Sequence, residues 1–217
     1  MNGFERLKEI CRVACHERNA CKDGFEALLK TGSVADILAV WKANWEDVYE
    51  SKYADIMVEN ITSVYQELQD EFRASGMFVN EDSDKGLVIV SNPTGPLRFG
   101  GAAHVYIFTA ADVTATENAQ VYCRAEGSHI ILQGHSFGKF KAGEVTVKEF
   151  AEASGNGVFH TYNAADVAVS SGKVIDHGHR RIAAYGGTEV YSDAVRNIII
   201  GGQARQFPLS DYKPEEK

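Results

Sequence analysis

The residues best suited to chemistry lie late in the chain, at His177-Gly178-His179-Arg180-Arg181. Two histidines one residue apart share a face if the backbone there is extended. The pair would then offer two imidazoles to a metal ion or an anionic group, with Arg180 and Arg181 adding positive charge behind. The same residues also suit a solvated corner with no ligand, and that is the stronger reading. The other histidines of this half are His104, His129, His135 and His160. His129 falls on an inward position of the repeat described below, which suits a hydrogen-bonded core histidine. Asp112, Glu117 and Glu126 stand near successive corners, where stacked carboxylates could bind calcium or serve polysaccharide cleavage. The nonapeptide signature of calcium-binding repeats is missing. So are G-x-S-x-G, H-E-x-x-H, a Walker loop and G-x-G-x-x-G. The glycines of "YGGTEVY" (185–191) sit at a corner in register with the repeat. No catalytic residue, metal or cofactor is therefore expected. It leaves His177, His179, Arg180 and Arg181 as the candidate surface binding group.

The cysteines give little more. Cys11, Cys15 and Cys21 lie near His16 in "CRVACHERNAC", and Cys123 stands apart. This is at most one half of a zinc site, without the usual pair of knuckles. Cys11 and Cys15 are one helical turn apart beside Ile10 and Ala14, which places them on an apolar helix face.

These residues must be positioned by two halves with different periods. Up to residue 76 the apolar spacing is helical. Phe4, Leu7, Ile10, Cys11 and Ala14 mark a first helix, and "DGFEALLKTG" a short second one closing on Gly32. Ser33 can cap a third over 34–53, with Ile37, Val40, Trp41 and Trp45 in one stripe. A fourth over 54–75 would turn Met57, Ile61, Val64, Tyr65, Leu68 and Phe72 inward. Residues 77–103 read as a connector of turn signals around one short strand, "LVIV".

From residue 104 the period is eight. Val105, Val113, Val121 and His129 recur at that spacing, with Ile107, Ala115, Cys123 and Ile131 two places on. Ala103, Ala111, Ala119 and Gly127 precede them. The frame continues through Phe137, Val145 and Val147, slips in "FAEASGNGVFHTYNAADVAV" as an insertion or corner would make it, and resumes at Val174, Ile182, Val190 and Ile198. A strand alternates faces with period two, so each octad makes one short strand and one corner. A unit too short to bury its own face must stack on its neighbours. The expected fold is thus α+β: a helical module at 1–76, a β-solenoid at 104–202 and a polar tail at 203–217. Two or three octads would complete one turn, with a flattened or triangular section. The rival is an antiparallel β-sandwich. It accounts poorly for Asn156-Gly157 being the only hairpin-type dipeptide of the second half.

Charge narrows the partners. The 217-residue chain carries a net −8. Residues 1–82 hold 9 Lys+Arg against 16 Asp+Glu, a balance of −7. Nucleic-acid affinity rests on neutralising phosphates, so the helical module is a poor nucleic-acid binder. No apolar run approaches the roughly 20 residues that span a bilayer, and the first residues lack the apolar stretch of a secretory signal. Host cytoplasm or virion is the expected location.

"ACKDGFEALLKTGSVADILAVWKANWEDVY" (20–49), followed by "AADVTATENAQVYCRAEG" (110–127), resembles a family of phage and prophage proteins of gut bacteria. Those pair a helical module opening on C-K-[DE]-G with tandem octads of the type A-x-V-x-A-x-[GDE]-[SNA]. The likeness covers most of the chain and departs from the pattern in 133–165 and near the carboxyl end. It implies a mobile-element origin and a repeat fold. It implies no reaction, and no catalytic residue carries over. The expected function is a non-enzymatic scaffold for binding or assembly, with a protein partner or self-association. The alternatives are a carbohydrate-acting enzyme, using some of Asp112, Glu117, Glu126, His177 and Arg180 on one flank, and a nucleic-acid-binding regulator.

Overall fold

The computed structural model describes residues 2–17, 22–51 and 53–214. Cys21 and the last three residues of the polar tail lie outside them. The described residues form six helices, α1 Gly3–Glu17, α2 Lys22–Leu29, α3 Val34–Ala43, α4 Trp45–Glu50, α5 Tyr53–Glu67 and α6 Gln69–Ala74. Ser33 caps α3 by accepting the Asp36 N–H at 3.2 Å, and Asp36 accepts the Gly32 N–H at 3.1 Å. The helix expected over 34–53 breaks at Asn44, whose Nδ2 donates to the Val40 carbonyl at 2.8 Å. Such local bonds compete with the helical ladder. The helix expected over 54–75 breaks at Leu68. The predicted stripes form the core except at Val40, which is only partly buried: Ile37, Trp41, Trp45, Met57, Ile61, Val64, Tyr65, Leu68 and Phe72 are all buried, and Cys11 lies on the same apolar surface.

After α6 the chain enters parallel strands and stays in them. These are β1 Met77–Val79, β2 Ser83–Val90, β3 Leu97–Ile107, β4 Asp112–Ala115, β5 Gln120–Cys123, β6 His129–Leu132, β7 Phe137–Phe140, β8 Glu144–Val147, β9 Glu152–Thr161, β10 Asp166–Asp176, β11 Arg181–Ala184, β12 Glu189–Tyr191, β13 Ile198–Ile200 and β14 Arg205–Phe207. Among the described residues every strand pairing is parallel, which excludes the antiparallel sandwich. The result is a β-solenoid of about eight turns. Two octads make one coil, and each coil has two faces.

One face, here face I, stacks β1, the second half of β2 and of β3, β5, β7, the first half of β9 and of β10, β11 and β13. The other, face II, stacks the start of β3, then β4, β6, β8, the second half of β9 and of β10, β12 and β14. One apolar core lies between them, with Val88, Val105, Val121, Val167 and Ile182 from face I and Val113, Ile130, Val145, Phe159 and Val174 from face II. The cross-section is therefore flattened.

Three details differ from the sequence reading. First, the ladder begins at Met77 and runs to Phe207, so residues 77–103 are coils of the solenoid and the tail holds its last strand. The period is hidden in "LVIV" because both sides of β2 are buried: Val88 and Val90 face the solenoid core, while Leu87 and Ile89 face the helices. Secondly, one extra residue before β6 turns His129 outward and puts Ile130 and Leu132 in the inward slots, paired with Val113 and Ala115. His129 is exposed and is not a core histidine. The frame also places Gly138 and Phe140 inward rather than Phe137; a Cβ on Gly138 would lie 2.3 Å from the Phe140 ring. Thirdly, the slip at 150–169 is a shortening. Coils run from 17 residues (Val88 to Val105) down to 14 (Ala153 to Val167). There the chain turns from one face to the other within β9. Gly155 (φ +123°) crosses so close to the coil below that a Cβ would sit 1.9 Å from the Phe140 carbonyl oxygen. Only glycine has that freedom.

The helices lie over the first coils of face I. Met77, Val79, Leu87, Ile89 and Tyr106 belong to their core. Arg124 fixes the seam, donating to the Tyr49 carbonyl at 2.9 Å and pairing with Asp55 at 3.0 Å.

Candidate functional site

The corner after β10 divides the four predicted surface residues among three environments. Gly178 (φ +150°) interrupts the alternation, so the two imidazoles do not share a face. His177 stays outside and stacks on Tyr162 (4.7 Å between centroids, 13° between planes), with His160 beyond it at 6.1 Å. His179 turns inward, its side chain only 6% exposed, with Nδ1 2.9 Å from Asp176 Oδ2 and Nε2 3.1 Å from the Arg196 carbonyl oxygen. Arg180 and Arg181 point to the outside of face I. There Arg180 pairs with Asp166 and, at 3.2 Å, with Glu152, and Arg181 lies 3.9 Å from Asp166.

Asp176 is the centre of a buried polar knot that sequence reasoning missed. Thr161 Oγ1 donates to it at 3.0 Å, the Gly178 N–H at 2.9 Å, and Ser192 Oγ also donates. Burial alone would raise this carboxyl, but the bonds from Ser192, His179 and Gly178 hold it below its ordinary value. Ser, His and Asp meet here in an order that does not activate a nucleophile. The serine bonds the carboxylate rather than the imidazole, and Nε2 is engaged with a backbone carbonyl. The signal was present in the sequence. Thr161 and Asp176 occupy the inward column that carries Val147 in β8 and Leu132 in β6, and a polar residue in an inward slot needs partners.

The carboxylates considered for a hydrolase do not converge. Asp112 lies on the outside of face II, 3.1 Å from His129 Nδ1. Glu117 sits at the corner from face II to face I and accepts the Gly101 N–H at 2.7 Å. Glu126 lies at the opposite corner, between β5 and β6. On face II, Glu144 stands 3.7 Å from His129 Nε2 and 3.5 Å from His160 Nε2. Burial holds the His160 imidazole below its ordinary value, with Glu144 acting against it. No group of three or more His, Cys, Asp or Glu among the described residues is arranged to hold a metal ion. Cys11 and Cys123 are buried free thiols.

Arg180 and Arg181 line an open groove of about 750 Å³ with Ile198 and Ile199, among others. Two further surfaces stand out. The first is a groove of about 320 Å³ where α4 meets face I, lined by Tyr49, Glu50, Tyr106, Tyr122, Lys139 and Lys141 among others. Tyr106 and Tyr122 occupy one outward column on consecutive coils and stack at 4.8 Å, 8° from parallel. Burial, with Tyr122 nearby, pushes the Tyr106 hydroxyl up to about 12. The second surface is the last coil, where Val195 is 94%, Ile199 51% and Ile200 41% exposed. No helix among the described residues is long and apolar enough to cross a membrane.

No protein-family model, curated protein or solved structure matches this chain.

Proposed function

We propose that the chain is a non-enzymatic scaffold of phage or prophage origin, which works by holding a rigid surface for assembly with other protein chains. One observation carries this reading: among the described residues the face I ladder is covered at its amino end and open at β13. At the amino end the first strand is built into the helical core through Met77 and Val79. At the carboxyl end the last strand of face I stands bare with its isoleucines exposed. Exposed strand edges and apolar patches on folded proteins mark association sites. Asp112, Glu117, His179 and Arg180, which invited a catalytic reading, are engaged in bonds within and between coils. The test is light scattering of the purified chain over a wide concentration range at low and high salt. A salt-insensitive oligomer is expected, because the exposed surface is apolar. A monomer under every condition overturns the assembly reading.

A further inference from the structure

β13 is the end of the face I ladder, paired on one side with β11. On that side the Ile182 N–H donates to the Asn197 carbonyl at 3.0 Å and the Gly201 N–H to the Ala184 carbonyl at 2.9 Å. Backbone groups alternate along a strand, so Ile198 and Ile200 direct their N–H and C=O away from β11, along the open edge. Neighbouring edges are blunted by familiar means. The last strand of face II is Arg205-Gln206-Phe207 followed by Pro208, and Gln206 Nε2 donates to the Ser192 and Ala194 carbonyls at 3.1 and 2.8 Å. The 3₁₀ turn Leu209–Asp211 then brings Tyr212 back onto Tyr191. The amino edge of face II carries Asp82, Asp84 and Lys85. The segment "NIIIG" at 197–201 has no charge or proline; its three-residue strand lies between left-handed Asn197 (φ +62°) and Gly202 (φ +65°).

The outward column of face I adds an independent observation. Reading along the ladder it is Ile89, Tyr106, Tyr122, Lys139, Ser154, Ala168, Ala183 and Ile199. Residues are large and apolar where helices cover them, and small or polar where nothing does. Ile199 breaks that rule at the bare edge.

We propose that β13 pairs antiparallel with β13 of a second copy of this chain, across a two-fold axis through Ile199. This rests on the assembly reading above and names its surface and partner. Self-pairing about Ile199 is isologous, with the same patch on both copies, and it sets isoleucine against isoleucine at all three central positions. Ile198 falls opposite the partner's Ile200, and their free backbone groups bond to each other. Ile199 falls opposite the partner's Ile199 as a non-hydrogen-bonded pair, on the outside of the joined sheet. Arg196 falls opposite the partner's Gly202, so no like charges meet. Ile198 and Ile200, inward residues at the open end of the core, continue that core into the second copy. Among the described residues each chain offers one such edge, so association stops at two.

The experiment uses the full chain with two substitutions. Ile199→Lys places two ammonium groups face to face and removes two isoleucines from the contact. It should weaken the dimer by about 100-fold or more in light scattering, with an unchanged circular dichroism spectrum because the side chain is exposed in the single chain. Ile199→Cys should form an intermolecular disulfide on mild oxidation, identified by mass spectrometry as the 199–199 linked peptide. The two Cα atoms of such a pair lie about 4.5 Å apart, within disulfide reach. Leu29→Cys, exposed on α2, should not link. A dimer that survives Ile199→Lys and gives no 199–199 link overturns this edge while leaving the assembly reading standing. A wild-type chain that is monomeric throughout overturns both.

Discussion

The covered and bare halves of face I share one ladder and one register, yet their outer surfaces have opposite character. Over the first coils the outward residues Ile89 and Tyr106 are buried under helices. Farther along, the same column shrinks to Ser154, Ala168 and Ala183. The inward columns do not change, because both halves close on one core. The coil itself is therefore indifferent to what lies outside it. Its outward positions record whether something else is meant to pack there, since apolar area left in water contributes nothing to stability.

That comparison can be broken at the ladder itself. Gly155→Val adds atoms where even a Cβ lies 1.9 Å from a backbone oxygen, at a φ that a β-branched residue does not adopt. A loss of at least about 4 kcal/mol is expected, or failure to fold. Urea denaturation followed by circular dichroism measures it. If Gly155→Val leaves the midpoint unchanged, the tight crossing of β9 is wrong.

Next in size come two truncations of about 3 kcal/mol each. Tyr106→Ala empties the aromatic contact with Trp45 (5.7 Å) and Tyr49 (5.0 Å), a cost in the range for buried aromatics. Helical signal should then melt before strand signal, as the module loosens from face I; coincident transitions would contradict this. Asp176→Ala leaves Thr161, Ser192 and His179 without their common acceptor inside the coil. Its pH dependence has a definite sign. The folded carboxyl lies below its ordinary value of 3.8, so its contribution is present above that pH and is lost as pH falls through the lower folded value. The gap in stability between wild type and Asp176→Ala should therefore close below about pH 3.8. A gap that stays constant into acid would show that the knot does not depend on the charged carboxylate.

The smallest effect sharpens the comparison from the bare side. Ser154→Ala, in the same column as Tyr106, should change stability by no more than about 0.5 kcal/mol. A large loss there would mean that the bare half is covered by something after all.

Much of this architecture was legible before any coordinates. The octads are plainest at Val113 and Val121, where apolar inward residues alternate with less buried outward ones. The same logic hid β2, where both sides are buried. The candidate group at 177–181 was visible as residue types but not as an arrangement. One glycine in the left-handed half of φ space sends His177 to the surface and His179 into the coil.

The sequence by itself determined the class of fold, the helical stripes and the short repeat, because each is a local periodicity that burial imposes on neighbouring residues. Only the tertiary structure decided that two octads close a flat coil, that one added residue turns His129 out, that the helices cover half of face I, and that β13 ends it bare. Those depend on which coil lies next to which, and such distances exist only after the chain has stacked on itself.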